Sequence, residues 1–176
     1  KDNPNKMIAG RSYKEILLEG KDYFKDNAII TDTGSVKKEI NTIFENLSLK
    51  NIFWIASHPI AGTEESGPQA GFKELFKDRW TIICENEKTK KDQVEKLKRF
   101  WEFLGSRVKT MNIEEHDIIL ALTSHLPHVV AYNIVRTAIG TDNNFRDSII
   151  KYSAGGLRDF TRIAASDPIM WRDIFV

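Results

Sequence analysis

Four strand-like runs occur within the first 111 residues, and none of comparable quality follows Met111. They are Ala28 to Thr31, Ile52 to Ala56, Trp80 to Cys84 and Arg107 to Met111. Helical spacing fills the gaps. Val36, Ile40, Ile43, Phe44 and Leu47 recur every three to four residues after the first run. Val94, Leu97, Phe100, Trp101 and Leu104 do so before the last, and stop at Gly105, a helix-terminating signal. Tyr13 to Phe24 places Ile16, Leu17 and Phe24 on a similar repeat. Strands alternating with helices predict a parallel α/β sheet, because parallel neighbours need a long crossover. From Glu114 to Ile139 the period is helical throughout, interrupted at Pro127. A Gly-rich patch at Ala154 to Gly156, a helical stretch from Asp159 to Ala165 and a further helix opened by Pro168 follow. The expectation is two domains, an α/β part over 1–111 and an all-helical part over 112–176.

Charge balance narrows the partners. Twenty-six Lys and Arg oppose twenty-five Asp and Glu, for a formal net charge of +1, so bulk electrostatics favours neither nucleic acid nor an anionic membrane. No apolar run approaches the roughly 20 residues that span a bilayer. Cys84 is the one cysteine, which excludes an intrachain disulfide; its place after an apolar run predicts a buried strand thiol. The expected compartment is the cytoplasm. The first residue is Lys1, not Met, and the opening KDNPNK is polar, so the chain reads as a piece of a longer protein.

Four segments could carry chemistry. In Asp32-Thr33-Gly34-Ser35-Val36-Lys37 a strand ends in a Gly turn, with the next helix expected from about Ser35. Ligands of open α/β sheets sit at that carboxyl edge, and helix N-termini favour anions; the plainer reading is that Ser35 caps its helix. His58 follows the second run directly, within Ser57 to Gly67, and an imidazole there is a natural general base. In Ser124-His125-Leu126-Pro127-His128, Ser124 and His128 share a helix face. Two histidines raise the question of a metal, but no HExxH or CxxC partner accompanies them, so no metal site is expected. In Gly155-Gly156-Leu157-Arg158-Asp159-Phe160-Thr161-Arg162, two arginines four apart could clamp a carboxylate or form a solvated surface pair. Together these supply a hydroxyl, a base, a second histidine and an anion clamp.

In order and spacing, DTGSVK, SHPIAGTEESG, TSHLPH and AGGLRDFTRIAASDPIMWRDI resemble the successive signatures of the prephenate/arogenate dehydrogenase family, including its cyclohexadienyl type. The resemblance covers roughly residues 26–176. It implies a partial Rossmann-type α/β domain followed by an all-α helical dimerisation domain, a homodimer, and NAD or NADP as cofactor. It implies oxidative decarboxylation of prephenate or arogenate, with His58 accepting the C4 hydroxyl proton and Ser35 hydrogen-bonding that hydroxyl. Arg162 would bind the substrate carboxylate, and His128, supported by Ser124, would line the pocket. Thr63 and Glu64 would lie beside His58, Gly155, Gly156 and Asp159 would form the opposite wall, and Trp171 would reach the neighbouring subunit's pocket. Asp32, Gly34 and Ser35 would meet the cofactor. His116 reads only as a helix-start residue. The family's G-x-G-x-x-G phosphate loop does not occur, so the chain reads as beginning after most of the cofactor half. Two other readings remain open. One is a non-catalytic fragment or sensor keeping the aromatic-acid pocket. The other is a related hydroxy-acid dehydrogenase, which would need a helical-domain Lys absent from TSHLPH and AGGLRDF.

Overall fold

The computed structural model describes residues 10–47, 49–62, 70–140 and 143–175. It divides into two compact units, Lys1–Ile119 and Leu120–Val176. The order is α/β and then helical, a Rossmann-type arrangement followed by a helical region.

In the first unit, α1 (Gly10–Gly20) buries Leu17 and leaves Ile16 exposed. Strand β1 (Ala28–Ile30) pairs in parallel with β2 (Ile52–Trp54), Ala28 opposite Ile52, and α2 (Lys38–Leu47) makes the crossover. α2 begins three residues later than the expected start at Ser35, because residues 36 and 37 stay non-helical. Beyond β2 the structure departs from an all-parallel sheet. The second run does not stop at Ala56. Ile55 donates to Ile30 O at 3.0 Å, and the chain continues as β3 (Ala56–Pro59). β3 pairs antiparallel with β4 (Trp80–Glu85), placing His58 opposite Ile82. The described residues before β4, 70–79, contain no crossover helix. A chain that turns back without one re-enters antiparallel. α3 (Lys91–Phe103) then carries the chain over to β5 (Arg107–Asn112), parallel to β4.

The core of this unit is Ile55, Ile83, Val94, Leu97 and Trp101, with Ile29, Phe76, Leu104 and Val108 packed on it. Phe100, expected on the same face, is half exposed and meets Trp101 only edge-on. Gly105 ends the helix as predicted. At φ +90° it lets Ser106 N–H reach back to Trp101 O at 3.0 Å, a conformation that favours glycine. Cys84 lies buried on β4, and burial pushes its thiol up to about 12.

One helical rod runs from Ile113 to Gly140 and belongs to the second unit from Leu120 onward. It comprises α4 (Ile113–Leu120), a π turn (Ala121–His125) and α5 (Leu126–Gly140). Pro127 does not break it. Proline has no N–H to give, and the preceding turn widens so that Leu126 N–H bonds Ala121 O, five residues back. The rod is uncharged from Ile118 to Val135. It is long and apolar enough to cross a membrane by length and composition, which the run-length expectation missed because Ser, His and Asn punctuate it. α6 (Asn143–Lys151), α7 (Gly155–Ala164) and α8 (Pro168–Phe175) complete the unit, and Tyr132 Oη donates to Ser166 O at 2.9 Å.

Truncating a core indole leaves a cavity that the rigid sheet cannot close. Trp101→Ala is therefore expected to cost about 3–5 kcal/mol in urea unfolding; a loss below about 1 kcal/mol would mean that α3 does not pack as described.

Candidate active site

His58 sits on β3 with 8% of its surface exposed. It does not stand just past a strand end, as spacing predicted, but within the ladder to β4. Its Nδ1 lies 2.9 Å from Nε2 of His116, which is fully buried on the first turns of α4. The other nitrogen of that ring, Nδ1, is 2.7 Å from Asp117 Oδ1. An ionised carboxylate only accepts, so His116 Nδ1 must donate. With its proton on Nδ1 alone, His116 would accept at Nε2 and His58 would donate from Nδ1. The lone pair of His58 is left on Nε2. This chain of donors makes His58 a proton acceptor at a defined atom.

Asp117 is held by more than the imidazole. Its Oδ1 accepts Lys37 N–H at 3.0 Å and its Oδ2 accepts Lys38 N–H at 2.9 Å. These are amides at the start of α2, so a carboxylate about 80 residues away caps the helix that Ser35 was expected to cap. Burial alone would raise the Asp117 carboxyl. The hydrogen bonds from His116 and from the Lys38 and Lys37 amides outweigh it and hold the group below the ordinary carboxylate range.

The turn before α2 is tightly built. Asp32 is buried and points inward; its Oδ2 accepts Gly34 N–H at 2.9 Å and the Lys37 ammonium, and its Oδ1 accepts Ser57 N–H at 3.2 Å. Asp32 was expected to touch the cofactor, but the structure commits its carboxylate to the protein interior. Gly34 sits in a crowded turn, where an added side chain would push neighbouring side-chain ends aside. A Cβ there would meet Tyr13 Oη at 2.8 Å and Ile40 Cδ1 at 2.9 Å. Ser35 follows, half-buried, in a bend. A cleft of about 240 Å³ beside α2, lined by Asn41, Phe44, Trp54, Asn86 and Lys90 among others, contains none of these groups.

In the second unit, His128 Nδ1 lies 2.9 Å from Ser124 O, so the support expected from Ser124 comes from its backbone carbonyl and not its hydroxyl. A carbonyl only accepts, so Nδ1 donates and neutral His128 keeps its lone pair on Nε2. His128 stacks on Trp171, with ring centroids 3.6 Å apart and planes at 21°. Trp171, expected to reach a neighbouring subunit, is buried against its own His128. Stacking two flat rings removes apolar area that each would otherwise expose. Gly155 and Gly156 open α7 and are exposed; a Cβ on either would meet nothing within 4 Å, so packing does not require glycine there. Arg162 and Asp159 lie exposed on α7. Thr63 and Glu64 lie outside the described residues.

Sequence reasoning therefore missed His116 and Asp117. The available signal was weak, an acidic residue beside a histidine in a helix's first turns. Because its native pKa is depressed, Asp117 contributes stability above the ordinary carboxyl pKa of about 4, and that contribution fades as pH falls through the lower native value. Asp117→Asn is expected to lower the Tm by a similar amount from pH 7 to about 5, with the gap narrowing below about 4. A gap that persists unchanged at about pH 3 would contradict an ionised Asp117 cap.

Two family models match, the prephenate dehydrogenase nucleotide-binding domain over residues 11–110 and the prephenate dehydrogenase dimerization domain over residues 112–176. Cyclohexadienyl dehydrogenase of Zymomonas mobilis is 46% identical over 153 residues, covering 86% of this chain and 52% of the relative. Prephenate dehydrogenase of Bacillus subtilis is 35% identical over 148 residues, covering 84% of this chain and 40% of the relative. This chain thus spans about half the length, or less, of the curated relatives it matches. Among solved structures, Aquifex aeolicus prephenate dehydrogenase in complex with hydroxyphenyl propionate and NAD+ superposes with a TM-score of 0.85 at 40% identity, covering 96% of this chain and 58% of that one.

Proposed function

The chain belongs to the prephenate dehydrogenase family, and we propose that the protein carrying it oxidatively decarboxylates prephenate or arogenate with NAD or NADP as hydride acceptor. The observation that carries this reading is the Asp117–His116–His58 chain of donors, which sets Nε2 of a nearly buried imidazole as a proton acceptor. The A. aeolicus relative, crystallised with NAD+ and a hydroxyphenyl acid, supports the substrate class.

On this reading His58 Nε2 takes the C4 hydroxyl proton as hydride leaves C4. The ring carboxylate departs as carbon dioxide, and its bonding pair completes the aromatic ring. Ser35 hydrogen-bonds the same hydroxyl and fixes its direction toward His58. Arg162 holds the substrate carboxylate, with His128, Ser124, Gly155, Gly156, Asp159 and Trp171 as the second unit's other substrate-binding residues. The nicotinamide, when bound, supplies the hydride acceptor. Of the residues present, the tight turn at Gly34 and Ser35 fits its ring end, while Asp32 serves by holding that turn.

The second unit exposes Leu122, Leu126, Val130 and Ile139. We read this apolar surface as one that pairs with a second copy and not with lipid, in keeping with the dimerization-domain match. The same reading places the protein in the cytoplasm. The whole protein is expected to run as a dimer in light scattering without detergent; a monomer, or a need for detergent, would contradict the pairing.

Function is tested by reduced-nicotinamide formation, prephenate and arogenate each against NAD and NADP. His58→Asn is expected to abolish turnover with little loss of substrate binding. Arg162→Ala should chiefly weaken substrate binding, by roughly 2–5 kcal/mol if the substrate buries the pair. Wild-type rates in His58→Asn would refute the assignment, and binding without turnover in the unaltered whole protein would favour a sensor.

A further inference from the structure

Lys37 is fully buried, and its backbone amide, just ahead of α2, is one of the two that donate to Asp117. Its ammonium goes elsewhere, to Asp32 Oδ2 and to Ser57 O at 2.8 Å. Ser57 is also fully buried. Its amide donates to Asp32 Oδ1, and its hydroxyl donates to Asp32 O at 2.8 Å and meets Thr31 Oγ1 at 2.8 Å. The amide, carbonyl and hydroxyl of Ser57 thus all bond the 31–37 segment. The next residue is His58, and Ser35 lies between Asp32 and Lys37.

We propose that Lys37 is a positioning residue for the proposed dehydrogenase reaction: through Asp32 and the Ser57 carbonyl, its ammonium locks the β3 backbone that bears His58 to the turn that bears Ser35. The inference rests on the reading of His58 as the proton acceptor. A buried ion pair is seldom needed for stability, since well-packed apolar replacements often do as well. What an apolar side chain cannot supply is a donor to Ser57 O. The groups that must meet at one substrate hydroxyl come from two separate segments, and a displacement of about 1 Å between them can cost roughly a hundredfold in rate. Asp117 fixes the direction of the His58 ring; Lys37 fixes where its backbone stands.

The test compares Lys37→Met, Lys37→Gln and the charge-deleted pair Asp32→Asn/Lys37→Met in the whole enzyme. Three quantities are read: Tm, kcat and KM at saturating cofactor, and the proton resonance of the His58–His116 hydrogen bond, identified by its loss in His58→Asn. Lys37→Met strands the Asp32 carboxylate and is expected to lower Tm and kcat together. The paired variant should recover most of the Tm while kcat stays down roughly tenfold to a hundredfold, KM moves less than about threefold, and the resonance shifts or broadens. Recovery of both Tm and kcat with an unshifted resonance would overturn the proposal, leaving Lys37 as a counter-ion to Asp32. If the pair fails to fold, Lys37→Gln decides. It keeps a donor for Ser57 O, so it should retain more kcat than Lys37→Met, and equal losses would overturn the proposal. The resonance is read without turnover. An unaltered protein that shows the resonance but reduces no nicotinamide would therefore refute the dehydrogenase reading while the variants still decide the positioning.

Discussion

The carboxylate of Asp117 meets two demands at once, and the geometry of the first unit depends on both being met. The opening turn of α2 presents backbone N–H groups with no partner inside the helix, and the partial positive charge there favours an anion. Asp117 supplies it by accepting from Lys37 and Lys38. The same carboxylate accepts from His116, and that bond propagates to His58. Helix start and imidazole direction are therefore one object. Moving α2 would turn the ring, and turning the ring would uncap the helix.

The interior beneath this object is polar, and its charged groups are paired. Asp32, Lys37 and Ser57 exchange bonds among themselves at or near full burial. Unpaired, any of them would be costly in so dry a setting. The apolar core of Ile55, Ile83, Val94, Leu97 and Trp101 contributes cohesion to the same unit. The second unit uses a different device. A π turn ahead of Pro127 carries the helix past a residue that cannot donate, and the Ser124 carbonyl in that turn orients His128 against Trp171.

Hydrophobic period made much of the fold legible. The four strand runs, the α2 and α3 helices and the switch to all-helical structure were readable because each buries a stripe of its own sequence. Direction was not readable: β3 runs antiparallel to β4, and burial periodicity carries no sign of direction. Lys37 was invisible as a core residue, since charge in a sequence reads as surface. His116 and Asp117 were passed over because a capping carboxylate about 80 residues from its helix leaves no local trace. Ser35 and His58 were singled out because both follow or end a buried run, although the structure places His58 inside the strand. The substrate-binding roles proposed for the second unit came from resemblance; the residue spacing alone left a solvated arginine pair equally open.

The central claim is that His58 presents an unprotonated Nε2. The most direct measurement is the 15N spectrum of the His58 ring at neutral pH, assigned by comparison with His58→Asn. The account predicts the neutral tautomer with its proton on Nδ1, and Nε2 at the shift of an unprotonated ring nitrogen. A ring carrying its proton on Nε2 would contradict it, because the Asp117–His116 chain would then not be what sets the reacting atom.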